Sequence, residues 1–201
     1  MKYSIRTIQL HEFNGNFQRI EQDFVPGEYA PYDILYQHLQ TGTQKGLILL
    51  EDECEVAYCI CAEGSANDYV LISLFAVYRE YRGRGLGSIF LQELKKVYSE
   101  KKGIIVEVEK PENAKTDKEK AIREKRIQFY QKAGFNLIPN IDYSIWDISM
   151  HLMALPQKAS TQIINEQIEQ IMYAIYFTLI GERCFYRKKS SESYRTCLSM
   201  N

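Results

Sequence analysis

Residues 74–88 read L-F-A-V-Y-R-E-Y-R-G-R-G-L-G-S, and the fold is decided there. The stretch joins the end of a nearly continuous apolar run, residues 68–77, to a basic loop with glycines at 83, 85 and 87. Such a run suits a central strand covered on both faces. An amphipathic helix is expected over residues 88–100. A strand, a glycine loop and a helix in this order build an anion site. Glycine takes positive φ and lets a ligand approach the backbone, and the first N–H groups of the helix are free. Arg82 and Arg84 add fixed positive charge that suits a pyrophosphate.

Upstream, residues 2–9 alternate like a half-buried strand, and 11–24 read as a helix stopped by Pro26-Gly27. A further helix is expected at 33–40, then a hairpin of strands 46–51 and 54–63, with a turn at 64–67. Downstream of Gly103, residues 104–109 read as the next strand. Thr116 and Glu119 fit a capping box for a helix running to Ala133, with Gly134 as its terminator. Two final strands are expected at 135–138 and 144–153. Beyond Pro156, Ile164, Ile168, Ile171, Ile175 and Leu179 recur at helical spacing and form one apolar stripe. That stripe packs on its own domain or makes a dimer contact. Residues 1–155 are expected to form the main domain, and 156–201 a helical extension with a polar tail from Arg187.

The chain of 201 residues carries 25 Lys and Arg against 26 Asp and Glu, a net charge of −1. Without a basic excess it is not built as a nucleic-acid binder. None of the five cysteines forms a C-x-x-C pair, and Cys59 and Cys61 share one strand face as small buried hydrophobes. His11, His38 and His151 are isolated, so no metal site is expected. No segment reaches the ~20 apolar residues that span a bilayer, and the N-terminus lacks the apolar core of a signal peptide. A cytoplasmic protein is expected, without membrane or nucleic-acid partners, as a monomer or homodimer.

Three phosphate-binding designs compete for the loop. A P-loop needs Gly-Lys-Ser/Thr, which the sequence lacks. A dinucleotide fingerprint is nearly met by Gly83, Gly85 and Ser88, with Glu107 near the ribose-binding position. The third, R-x-x-G-x-G, is satisfied by Arg82, Gly85 and Gly87. Here the sequence resembles the GNAT superfamily of acetyl-CoA-dependent N-acetyltransferases. A second landmark supports the resemblance. Residues 126–135, R-I-Q-F-Y-Q-K-A-G-F, look like that family's helix with a tyrosine and a closing A-G-F.

The resemblance covers roughly residues 46–153 and implies an α/β fold: a mixed, mostly antiparallel sheet flanked by helices, here with an extra C-terminal helix. It implies acetyl-CoA as co-substrate and no metal. Phe75, Ala76, Val77, Arg82, Gly83, Arg84, Gly85, Leu86, Gly87 and Ser88 would hold the cofactor, and the Tyr130 hydroxyl would lie near its sulfur. Val106-Glu107-Val108 resembles the L-E-V of the branch that acetylates ribosomal-protein N-termini, where the glutamate is the general base. The family often places an asparagine seven residues before the tyrosine, on the pantetheine arm. Here that position is Arg123, and Asn113 stands nearer the strand.

An alkyl amine with a pKa near 10.4 must lose a proton before it attacks a thioester, so a base is needed. Glu107 fits that role, and Glu109, two residues on, is its substitute. Backbone N–H groups near Phe75–Val77 could receive the oxyanion, and Tyr130 could protonate the departing thiolate. The expected activity is direct acetyl transfer to a small-molecule amine or a peptide N-terminus. The competing readings are a non-catalytic acyl-CoA binding module and a nicotinamide-dependent oxidoreductase.

Overall fold

The computed structural model describes residues 2–63, 68–145 and 148–181, and the backbone of 185–189 and 193–197. The turn expected at 64–67 lies outside the described residues. The alternating N-terminal segment forms β1 (Tyr3–Thr7), antiparallel to β2 (Gln44–Glu51), which pairs with β3 (Cys54–Glu63). Between β1 and β2 lie α1 (Phe13–Asp23) and α2 (Tyr32–Thr41). The apolar run becomes β4 (Tyr69–Val77), followed by α3 (Leu86–Val97) and β5 (Gly103–Glu109). Helix α4 (Asp117–Lys132) opens on the expected cap. Thr116 Oγ1 accepts from the Glu119 amide at 3.1 Å, and the Glu119 carboxylate accepts from the Lys115 amide at 2.8 Å.

The chain continues through β6 (Asn136–Leu137), β7 (Tyr143–Ile145), β8 (Ile148–Pro156), α5 (Thr161–Ile180), β9 (Phe185–Lys189) and β10 (Ser193–Cys197). The strands run β1-β2-β3-β4-β5-β8-β7-β10-β9 across one sheet, with β6 added to β8. Only β4–β5 and β7–β10 pair in parallel, so the mixed, mostly antiparallel sheet is as expected. Three boundaries differ. The strand expected at 144–153 is two, β7 and β8, folded back so that Ile145 faces Ile148. Apolar residues continue on both sides of that reversal and hide it. Helix α3 begins at Leu86, because Gly85 caps it at φ 77°. The polar tail contributes the β9–β10 hairpin.

A bulge in β4 controls the packing. Against β3, Leu74 faces Ile60 but Ile72 faces Cys61, so Ser73 is the extra residue. Before it, Val70 and Ile72 face α3 and α4, while Tyr69 and Leu71 lie under α5. After it the phase has slipped by one. Phe75 and Val77 now join the α3–α4 side, and Leu74 and Ala76 lie under α1 and α2. Helices α1, α2 and α5 therefore share one face of the sheet, and α3 and α4 cover the other. Cys59 and Cys61 are buried on the α3–α4 side, with sulfurs 3.7 Å apart.

Helix α5 packs its stripe on this sheet: Ile164, Ile168, Ile171 and Ile175 bury against Ile105, Leu152 and Ala154. Among the described residues, no helix is long and apolar enough to cross a membrane. Ile175 is fully buried. Ile175→Ala should therefore lower unfolding stability by about 2–5 kcal/mol, read from the denaturant midpoint, with no change in slope.

Candidate active site

Strand β5 pairs with β4 only from Tyr69–Gly103 to Ile72–Val106. The bulge at Ser73 follows at once, and the two strands diverge. Beyond it β4 keeps its ladder with β3, and Tyr78 N–H reaches Val56 O at 3.0 Å. By the alternation of an antiparallel ladder, the amides of Phe75 and Val77 then point away from β3 and into the gap left by β5. Val77 O is already used, accepting from Arg82 Nε at 3.0 Å.

The gap opens on one side into a cavity of about 350 Å³ lined by Phe75, Val77, the loop residues Tyr81–Gly83 and Gly85–Gly87, Arg126, Phe129 and Tyr130. Gly83 and Gly85 sit at φ 81° and 77°, a conformation side chains resist. No atom lies within 4 Å of an added Cβ at either, so conformation rather than space demands glycine. At Gly87 the demand is space: a Cβ would meet the Phe129 ring at 3.2 Å. The close approach of α3 and α4 there brings Tyr130 beside the first turn of α3. Loop amides and a free helix N-terminus at an open cavity are a donor set that fits the pyrophosphate of an acyl-CoA.

The arginines of the loop are committed elsewhere. Arg82 Nη2 binds Asp23 at 2.7 Å, and Arg79 holds Asp23 and the Gln22 carbonyl, tying the loop to the end of α1. Arg84 binds Glu51 at 2.7 Å and does not line either cavity. Of the expected cofactor residues, Phe75, Val77, Arg82, Gly83, Gly85, Leu86 and Gly87 line the cavity. Ala76 faces the α1–α2 side, and Ser88 is exposed on α3.

A second cavity, about 550 Å³, continues through the gap on the α1, α2 and α5 side. It shares Phe75, Val77, Arg82, Arg126 and Tyr130 with the first. Glu107 lies on its wall and accepts from two phenols. Tyr176 of α5 donates to Oε1 and Oε2 at 2.8 and 2.9 Å, and Tyr143 of β7 donates to Oε1. Burial raises the Glu107 pKa, and the two tyrosines partly offset this. The Tyr130 hydroxyl, buried among Phe129 and Phe135, is pushed up to about 12 by desolvation and stays protonated.

Glu109 is placed differently. Arg123 holds it at 3.0 Å and Arg126 at 2.6 Å, so its carboxylate serves an ion-pair network. Arg123, where an asparagine was expected, also binds Glu119 and the Lys110 carbonyl. Asn113 is exposed in a short turn and lines neither cavity.

The sequence reading missed Tyr143 and Tyr176, and a polar chain along the second cavity. In that chain His38 Nδ1 meets Gln44 Oε1 at 2.9 Å, and Gln44 Nε2 donates to Ser73 Oγ at 3.2 Å. The signal available was Gln44, a polar residue at the head of an apolar strand.

Residues 43–137 match the family model described as an acetyltransferase (GNAT) domain. No match to the chain was found among curated proteins. Many solved structures share the fold. A protein described as a GNAT-family acetyltransferase from Bacteroides thetaiotaomicron superposes with a TM-score of 0.69 at 21% identity, over 89% of this chain and 98% of that one. The ribosomal-protein-S18-alanine N-acetyltransferase of Escherichia coli gives 0.55 at 18% identity, over 80% and 97%. The spermidine N-acetyltransferase of Vibrio cholerae, solved with CoA and spermine, gives 0.58 at 11% identity, over 77% and 95%. Residues 43–137 thus look like a GNAT acetyltransferase domain, and the fold of the chain is similar to that of solved GNAT acetyltransferases.

Proposed function

We propose that the chain transfers an acetyl group from acetyl-CoA to a primary amine by direct attack, with both substrates bound at once. The observation that carries this reading is the continuity of the two cavities at the β4–β5 split, with Tyr130 shared by both and Glu107 on the acceptor side. The solved relatives named for spermidine and for a ribosomal-protein alanine both act on amines, which supports an amine acceptor.

Bound acetyl-CoA would supply the acyl group as a thioester, with the loop from Gly83 to Gly87 and the start of α3 holding its pyrophosphate. Glu107 takes the proton from the amine nitrogen. Its raised pKa narrows the gap to an alkylammonium near 10.4, which makes it a better base than an exposed carboxylate. Two phenols do not exhaust the lone pairs of a carboxylate, so it can hold them and still receive a proton. The free N–H of Phe75 faces the gap and donates to the carbonyl oxygen as it gains charge. Two protons leave the ammonium nitrogen in all: Glu107 takes the first, and as the nitrogen–carbon bond forms and the carbon–sulfur bond breaks, the second passes through solvent to the departing thiolate. Tyr130 donates a hydrogen bond to that sulfur. With its pKa near 12 against ~8.5 for a thiol, it stabilises the thiolate rather than giving up its proton.

Tyr130→Phe should therefore lower turnover about 10- to 10²-fold, the worth of one hydrogen bond to a charged sulfur, and leave acetyl-CoA affinity unchanged. Stopped-flow and calorimetric titration read the two. Glu107→Gln should lower kcat about 10²- to 10⁴-fold in a thiol-release assay while acetyl-CoA still binds. Full activity in Glu107→Gln removes the base assignment. The same variant has a stability signature. A raised pKa in the fold means that Glu107 contributes its stability below about pH 4, and loses it as pH rises through the folded value. The Tm of Glu107→Gln should thus gain on the wild type as pH rises from about 4 through the folded value.

A further inference from the structure

Resting on the transferase reading, we infer that the acceptor is a small primary amine with a single positive charge on an apolar body, an aryl- or alkylamine. The charges around the acceptor cavity carry this. A polyamine buried in protein needs a carboxylate near each ammonium, because an unpaired cation loses its hydration. Four described carboxylates line the cavity: Asp23, Glu28, Glu107 and Glu109. Asp23 is taken by Arg79 and Arg82, and Glu109 by Arg123 and Arg126. Glu28 is exposed at the outer edge, where it accepts from the Val25 amide at 3.0 Å. Glu107 alone among them lies within the cavity and is held by neutral partners. One ammonium is matched there. Asp23 faces two arginines, Arg79 and Arg82, so the surplus positive charge at that end disfavours a second ammonium.

The rest of the wall is apolar and comes from three separate parts of the chain. Helix α2 and the turn before it give Tyr29 and Ile34, the β7–β8 pair gives Ile148 and Met150, and the end of α5 gives Leu179 and Ile180. A cavity of about 550 Å³ with this lining suits a compact ligand whose body leaves water on binding. One polar stretch, the chain His38–Gln44–Ser73, interrupts it. Ser73 Oγ accepts from Gln44, so its own proton is free to donate to a hydroxyl or carbonyl on the ligand body.

The test is a thiol-release panel with the full chain and saturating acetyl-CoA. Its arms are a linear alkylamine series and phenethylamine, spermidine, and a short peptide with a free N-terminus. The alkylamines should gain about two- to fourfold in kcat/KM per methylene until the cavity is filled. Phenethylamine should exceed spermidine by at least about tenfold. Leu179→Asp, a change at the partly exposed end of α5, should cut the phenethylamine rate and narrow its lead over spermidine. Its thermal shift with CoA should match the wild type. A preference for spermidine or the peptide, or an unchanged ratio in Leu179→Asp, overturns this inference and leaves the transferase reading standing. Turnover of no amine by a chain that binds acetyl-CoA overturns both.

Discussion

One extra residue in β4, Ser73, sets the geometry on which the site depends. The bulge shifts the side-chain phase of the central strand, and it falls where β5 stops pairing with β4. Without it, Phe75 and Val77 would point to the α1–α2 side and could not meet Phe90 and Phe129. With it, the last half of β4 keeps its bonds to β3 and offers unpaired amides to the gap. An unpaired buried amide is costly, so an open strand edge inside a domain persists where a ligand or water can use it. The split therefore joins two cavities that the helices on opposite faces would otherwise keep apart.

The chemistry at this split follows from burial and from who pairs with whom. Glu107 and Glu109 stand two residues apart on one strand, yet their partners divide them. Two arginines hold Glu109, while two phenols hold Glu107. Burial raises the pKa of Glu107, whose donors are neutral, and so favours its taking a proton. Helix α5 thus does more than cover apolar sheet: it brings Tyr176 to Glu107 and Leu179 and Ile180 to the second cavity.

The loop was legible because its determinants are local. Positive φ at Gly83 and Gly85, the immediate start of α3, and the Phe129-Tyr130 pair against Gly87 all follow from residues close in sequence or from a recognisable spacing. Glu107 was legible for the same reason. Tyr143 and Tyr176 were not, since nothing in the spacing of fifteen tyrosines marks the two that converge on one carboxylate. The bulge was hidden too. A strand covered on both faces shows no alternation, so a slip in its phase leaves no trace. Arg84 looked like a phosphate ligand, but its partner Glu51 lies on β2, beyond any local pattern.

As the proposed base, Glu107 is tuned by burial and by the phenol from α5. The decisive experiment is the pH dependence of kcat/KM in Tyr176→Phe. The Tyr176 hydroxyl holds the Glu107 pKa down against desolvation, so its removal leaves burial less opposed. The acid limb of the profile should move to higher pH than in the wild type, while acetyl-CoA affinity stays the same. An acid limb that stays in place, or moves to lower pH, in an active Tyr176→Phe enzyme would contradict the base assignment.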